Sequence, residues 1–519
     1  MKQIHYEMIN IFPKLAWLAV VDKKQSFITV YHGRYVECRE NWFIEGIWDG
    51  PFDVGDFHET DLVFGTGMKV LDERIVFVSS SSTADRLYYS FDQNRLLVSN
   101  SLPCLVSFTD ITMDPLLDYA GFFKSIENNC QDYQKELPVR SGCEKILNIM
   151  GENLVYLSGK QSVEAKPQKK HFSDFASLNV FMANVFLKFR NNWECPSRRN
   201  KLSTFSTIST GYDSAMVSCL AVKTGCNHLF TCVSSSEMGP KFIRSKRKIV
   251  DDGSDIARYI SKAISIIKFD QHDFKKDLAN EIYLFPGMPN TRLTNFLPMI
   301  NYLDRLNKPS ILFTGIGGDY AWGSDPNDSY YDYGAISLSE IRLHAGFIHC
   351  CFLSWLKKYR FLLLEISNSE EMKRWSIGGL YNRPIPRRIL EESGVPREAF
   401  GYVKKGGWKF WLIPNRPYDP RLRKEYYRYL TKNNLCTRQE IFFFPIASVV
   451  FWTFMIMKAL LWRLKGSKSK FEYIKPPFSS ISHSTFPWAV QAIADQYREN
   501  EVFRRNTFGS RRRLPADAP

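Results

Sequence analysis

Apolar and polar residues follow two different rhythms along this chain, and the change of rhythm divides it. Up to about residue 160 the apolar runs are short, β-branched or aromatic, and bounded by Gly, Asp, Asn or Ser, as in Trp17–Val21, Phe27–Tyr31, Ile75–Val78 and Leu96–Val98. That punctuation predicts strands and packed sheets. Gly159–Lys170 (GKQSVEAKPQKK) is charged, contains a proline and is poor in apolar residues, which predicts a linker. Phe172–Phe189 then carries apolar residues at helical spacing. From Leu202 to about Trp322 strand-like and helix-like runs alternate. A β-prone run before Ser209 leads to a helix Ala215–Lys223, followed by an apolar run Leu229–Val233. Asp251-Asp252-Gly253 opens a helix Ser254–Ile264 with Ser254 or Asp255 as N-cap, and the buried-strand candidate Ile311–Thr314 runs straight into Gly315-Ile316-Gly317-Gly318-Asp319. The alternation predicts an α/β fold with a doubly wound parallel sheet covered by helices on both faces. The rest, from about 323 to 519, reads as mainly helical. The expected domains are thus a β-rich 1–160, a linker and capping helix over 161–200, and an α/β domain with a helical C-terminal part over 201–519.

The most apolar window, Ile441–Met457 (IFFFPIASVVFWTFMIM), changes this picture only slightly. At about 17 residues it lies at the lower limit for crossing a bilayer, and Pro445 interrupts it. It reads as a buried helix of the C-terminal domain. Trp462, Arg463, Lys465, Lys468 and Lys470 follow it, so peripheral membrane contact through 441–470 is the alternative.

At 519 residues the chain is too long for one ordinary core, and 44% hydrophobic residues exclude a disordered protein. The net charge of +15 favours anionic ligands, acidic partners or an anionic surface. Much of the excess lies in clusters (Lys166–Lys170, Lys241–Lys248, Arg463–Lys470, Arg504–Arg513) that read as solvated faces or tails rather than a nucleic-acid site. The 11 cysteines and 9 histidines show no zinc-ligand spacing. Free thiols and an N-terminus unlike a signal peptide lead us to expect a cytoplasmic protein.

Chemistry concentrates at two turns. Ser209-Thr210-Gly211-Tyr212-Asp213-Ser214 joins a strand to a helix, where unpartnered backbone N–H groups and the helix dipole favour phosphate. The turn at 315–319 also follows a strand, so both fall at the carboxyl edge of the sheet, where ligands bind. Asp213 and Asp319 are then placed to share Mg²⁺ beside nucleotide phosphates. Taken singly, each would cap its own helix.

STGYDS resembles the pyrophosphate loop SGGxDS of the asparagine synthetase-like (PP-loop) ATP pyrophosphatase superfamily. The resemblance continues in order through Leu229–Ser235, SDIARYISKAI, the glycine-aspartate loop FTGIGGDYAWG, the lysine segment VPREAFGYVKKGG and a closing helix FPWAVQAIADQY. Upstream, STADRLYYSFDQNRLLVSNSLPCL is similar to the latter part of the amidotransferase (Ntn) domain that precedes such synthetases.

The resemblance implies an enzyme that activates a carboxylate by attack on the α-phosphorus of ATP, releasing pyrophosphate, after which ammonia or an amine displaces AMP. Ser209, Thr210, Gly211, Tyr212, Asp213 and Ser214, with Gly315, would then form the ATP and pyrophosphate site. Val233 would lie against adenine, Asp213 and Asp319 would hold Mg²⁺, and Lys404 or Lys405 would offset transition-state charge. The substrates would be a small-molecule or peptide carboxylate and an amine donor, with no nucleic acid.

Three positions depart from the family pattern. Met1-Lys2 stands in place of the N-terminal cysteine nucleophile, which makes the first domain a degenerate amidotransferase without its own glutaminase chemistry. Thr210 stands where the loop usually has glycine, and Ile316 where the second loop carries a glutamate thought to act as base. These departures support an alternative, a non-catalytic nucleotide-binding scaffold in a biosynthetic complex. A tRNA-thiolating enzyme also uses this kind of loop, but it normally requires recognition modules or reactive cysteines that are not evident here.

Overall fold

The computed structural model describes residues 2–91, 94–128, 133–140, 145–168, 172–235, 249–270, 273–287, 294–322, 337–378, 382–401, 416–443, 446, 453, 457 and 484–499. The N-terminal strands are β1 (Gln3–Met8), β2 (Trp17–Asp22), β3 (Phe27–His32), β4 (Glu37–Cys38), β5 (Trp42–Trp48), β6 (Val63–Leu71) and β7 (Arg74–Val78). After them come β8 (Leu87–Phe91), β9 (Arg95–Ser99), β10 (Glu136–Leu137), β11 (Ile146–Ile149), β12 (Glu152–Leu157) and β13 (Lys160–Ala165). They form one sheet in the order β1-β3-β2-β9-β8-β11-β10 and a second in the order β13-β12-β7-β6-β5-β4.

Alternation along β2 shows why the two sheets pack face to face. Trp17, Ala19 and Val21 share a core with Phe43, Met68 and Phe77 of the second sheet. Leu18, pointing the other way, packs with helix α1 (Leu102–Ser107), helix α2 (Tyr119–Asn128) and the C-terminal helix Thr485–Glu499. Such period-two partition is what a two-sided sheet requires. The stretch read as a linker differs: Lys160–Ala165 is an edge strand paired with β12. Ser158 and Gly159 between them both have positive φ (49° and 83°), the geometry of a tight hairpin turn, so local turn chemistry makes a strand of a polar sequence.

Helix α3 (Phe175–Trp193) lies between the second sheet and the α/β part. Asp174 and Ser177 form its capping box. Beyond it are β14 (Ser203–Thr207), α4 (Tyr212–Lys223), β15 (His228–Cys232), the hairpin pair β16 (Ser234–Ser235) and β17 (Ile249–Val250), α5 (Ser254–Ile260), β18 (Ser265–Phe269), α6 (Leu297–Leu306) and β19 (Ser310–Phe313). The chain continues through α7 (Gly318–Ala321), α8 (Ser339–Ala345), β20 (Phe347–Cys350), α9 (Phe352–Leu356), α10 (Arg360–Asn368), α11 (Pro384–Glu392) and α12 (Pro420–Lys432).

The central sheet runs β18-β15-β14-β19-β20, and every described pairing in it is parallel. Leu229, Ile311, Phe313 and Ile348 face α3, α4 and α11. Phe205, Phe230, Leu312 and Phe347 face α6 and α8. Both faces are covered, which accounts for the complete burial of β19 and β20. β20 falls in the part read as mainly helical. All four of its residues are buried, and a short, wholly buried run has no period that separates strand from helix.

A buried ionic group joins the sandwich to this sheet. Arg342 on α8 donates to Glu45 of β5 (2.7 and 3.0 Å) and to Asp85 (2.5 Å). Next to it the Ser101 hydroxyl donates to Glu340 at 2.9 Å. Asp85 therefore finds its partner on a distant helix.

Candidate functional site

The two turns do meet. β14 and β19 are hydrogen-bonded neighbours, with Ser206 opposite Phe313, so the loops that leave them stand side by side at the carboxyl edge. A β-carbon at Gly315 would come within 2.5 Å of the Ser214 nitrogen, and one at Gly318 would fall on the Asp213 carboxyl group. Only glycine permits this approach. It brings Asp213, in the first turn of α4, against the start of α7, whose first turn contains Asp319.

Inside the first loop the Ser209 and Ser214 hydroxyls are 2.7 Å apart, and the Gly211 N–H donates to Ser209 Oγ at 3.2 Å. Gly211, the N-cap of α4, offers no side chain to the helix start. A helix start whose N-cap is glycine is an arrangement that suits an anion.

Thr210 is accommodated without strain, since it is absent from the few described non-glycine residues with positive φ. Its hydroxyl donates to Asp251 Oδ1 at 2.8 Å, and its N–H reaches the same oxygen at 3.3 Å. Asp251 was read only as part of a helix opening, so this role is new. Gly253 holds the Asp251 turn close: its N–H donates to Thr231 Oγ1 at 2.9 Å, and a β-carbon there would lie 3.0 Å from the Ser209 nitrogen. The neighbouring Asp252 titrates below the usual range; burial opposes this, but Lys268 at 2.7 Å and the Ser254 hydrogen bonds outweigh it.

Val233 follows β15, and its N–H donates to Phe269 at 2.9 Å. It stands half-buried at the same sheet edge, one strand from the loop. Ile316 offers its carbonyl to the Ser354 hydroxyl at 3.2 Å. Gly317, with φ of 94°, sits too close to Ser354 for any side chain.

Lys404 and Lys405 lie outside the described residues. The chain that leads to them does not: the Gly401 N–H donates to the Thr210 carbonyl at 2.9 Å. Most of 441–470 is likewise outside the described residues. Where it is described, Phe442, Phe443, Ile446 and Met457 are exposed, contrary to the expectation of a buried helix. Ile441 still packs on the cluster that includes α12, and the side chains of Phe442 and Phe443 after it turn outward. Among the described residues, no helix is long and apolar enough to cross a membrane. The nine described cysteines are free thiols.

Among the described residues, no three His, Cys, Asp or Glu side chains gather to hold a metal by themselves. A pair such as Asp213 and Asp319 suits a different demand, that of Mg²⁺, which takes one or two carboxylates and completes its shell with phosphate oxygens and water. Sequence could suggest this pair from its glycine context. It held no signal for Gly401, or for Arg387, whose buried guanidinium donates to the Tyr212 hydroxyl. No protein-family model matches the chain, and no curated protein is significantly similar to it.

Proposed function

We propose that this chain is an ATP- and Mg²⁺-dependent, AMP-forming ligase that adenylates a carboxylate and passes the acyl group to ammonia or an amine. The observation that carries the reading is the contact between the Asp213 carboxyl group and Gly318, across neighbouring parallel strands. It joins two glycine-bearing turns at one sheet edge in the order expected of an asparagine synthetase-like site.

In this reading the start of α4, with Ser209, Gly211 and Ser214, holds the pyrophosphate part of ATP, and Val233 borders the adenine. Asp213 and Asp319 hold Mg²⁺, which offsets phosphate charge. That cation has work to do, because Asp251 adds a further carboxylate beside Thr210 and like charges would otherwise repel a nucleotide. Lys404 or Lys405 supplies positive charge as pyrophosphate leaves, help on the order of 3 kcal/mol. The amine reaches the site from free ammonia, from a separate glutaminase or from within the substrate.

Pyrophosphate release with candidate carboxylates tests the reading, together with equilibrium binding of ATP with and without Mg²⁺. Asp213→Ala and Asp319→Ala should each abolish turnover. Absence of ATP binding in the presence of Mg²⁺ would defeat the proposal. A second reading, a nucleotide-binding scaffold, draws on the Asp251 oxygen that occupies the Thr210 N–H and on the apolar side chain of Ile316. Tight MgATP binding without turnover on any carboxylate would favour it.

A further inference from the structure

Arg387 lies on α11, buried, with a cluster of contacts that α11 itself does not require. Its guanidinium donates to the Tyr212 hydroxyl and stands 5.3 Å from the Tyr212 ring centre and 5.2 Å from that of Phe400. Glu391, one turn on, accepts from it at 3.3 Å. Tyr212 and Phe400 meet edge to face, with ring centres 5.8 Å apart. Gly401 closes the arrangement: it has φ of 79°, its N–H bonds to the Thr210 carbonyl, and a β-carbon on it would enter the Tyr212 ring. One cation thus touches the first residue of α4 and, across its ring, the last described residues before the lysine pair.

We propose that Arg387 is a positioning residue: it fastens Phe400–Gly401 onto Thr210–Tyr212 and so fixes, beside the phosphate loop, the point from which the chain continues to the lysine pair. The role assigned to the lysines rests on the ligase reading, whereas the fastening does not. Three peptide units separate Gly401 from Lys404, so the Cα of Lys404 stays within about 11 Å of Gly401 however the chain runs between them. A guanidinium is suited to the task, because it can donate to the hydroxyl and lie against two aromatic faces at once. Glu391 gives the buried guanidinium a carboxylate partner, where an unpaired charge would be costly.

Limited trypsin digestion of the full chain, with mass spectrometry of cleavage after Lys404 and Lys405, tests the fastening with and without MgATP. Arg387→Met and Gly401→Ala should each raise cleavage at these two sites about tenfold in the free protein, the effect of losing one charged hydrogen bond. Cleavage elsewhere and the circular dichroism spectrum should stay unchanged. Tyr212→Phe, which only removes the hydroxyl, should produce part of that rise and add little in combination with Arg387→Met. Arg387→Lys should restore part of the protection. Unchanged cleavage after Lys404 and Lys405 in Tyr212→Phe and Gly401→Ala would overturn the proposal, even if Arg387→Met fails to fold. In the wild type, MgATP should protect both sites further, and Arg387→Met should bind MgATP yet lose that added protection. A wild-type chain that does not bind MgATP sinks the ligase reading alone, since the fastening is read in the free protein.

Discussion

At Gly318 a single added methyl group would occupy the space of the Asp213 carboxyl group. Gly318→Ala therefore has to separate the two loops. Overpacking of this kind costs about 1–3 kcal/mol, read as a lower urea midpoint, and MgATP binding should be lost with it. Stability lost without loss of binding would show that the loop contact serves folding alone. Thr210 teaches the opposite lesson. It looked like an obstacle in a glycine position, yet its backbone needs no glycine, and the hydroxyl forms a bond to Asp251 that glycine could not make. Side-chain partners so far apart in sequence leave no trace in the loop motif itself.

Strand β20 shows what an element's surroundings decide. His349, at its centre, is fully buried with Nε2 2.8 Å from Thr314 Oγ1, directly before the second glycine loop. Burial pushes its pKa down to about 4 from an ordinary 6.5, and His344 on α8 is pushed down to about 4 by the same cause. Between those values the unfolded chain binds protons that the folded one refuses. The stability contribution is complete above pH 6.5 and is lost as the pH falls through 4. Across this window the urea midpoint of His349→Gln should fall less than that of the wild type as the pH drops, by roughly the share of one histidine. An equally steep slope in the variant would mean that His349 does not titrate in this range. β20 was illegible in sequence because Phe347-Ile348-His349-Cys350 is short and wholly buried. β14 and β19 lead straight into the glycine-bearing turns at 209–214 and 315–319, and β15 alternates with helices on either side, which was enough local information to read them.

On the scale of the whole molecule, Arg342 ties the sandwich to the central sheet through two buried carboxylates, Glu45 and Asp85. Removing the cation leaves both carboxylates buried without it, which for such groups costs about 3–5 kcal/mol. Arg342→Met should lower the unfolding free energy by that amount, read as a lower urea midpoint. A triple replacement that also makes Glu45→Gln and Asp85→Asn should recover part of the loss. No recovery would indicate that the packing of α8, rather than its charge, joins the two parts. The C-terminal helix Thr485–Glu499 adds a second tie, since Trp488 and Val490 share a core with Leu105 of α1.

Local pattern alone determined the strand-rich start, the alternating α/β middle and the two glycine-bearing turns with Asp213 and Asp319, because turn chemistry and hydrophobic period act over a few residues. Only the tertiary structure decided that β14 and β19 are neighbours, that Asp213 packs on Gly318, and that Asp251, Arg387 and Gly401 converge on Thr210 and Tyr212. These contacts join segments tens to hundreds of residues apart. Their energies depend on which surfaces the folded layers bring together, and no neighbouring residue in the chain encodes that choice.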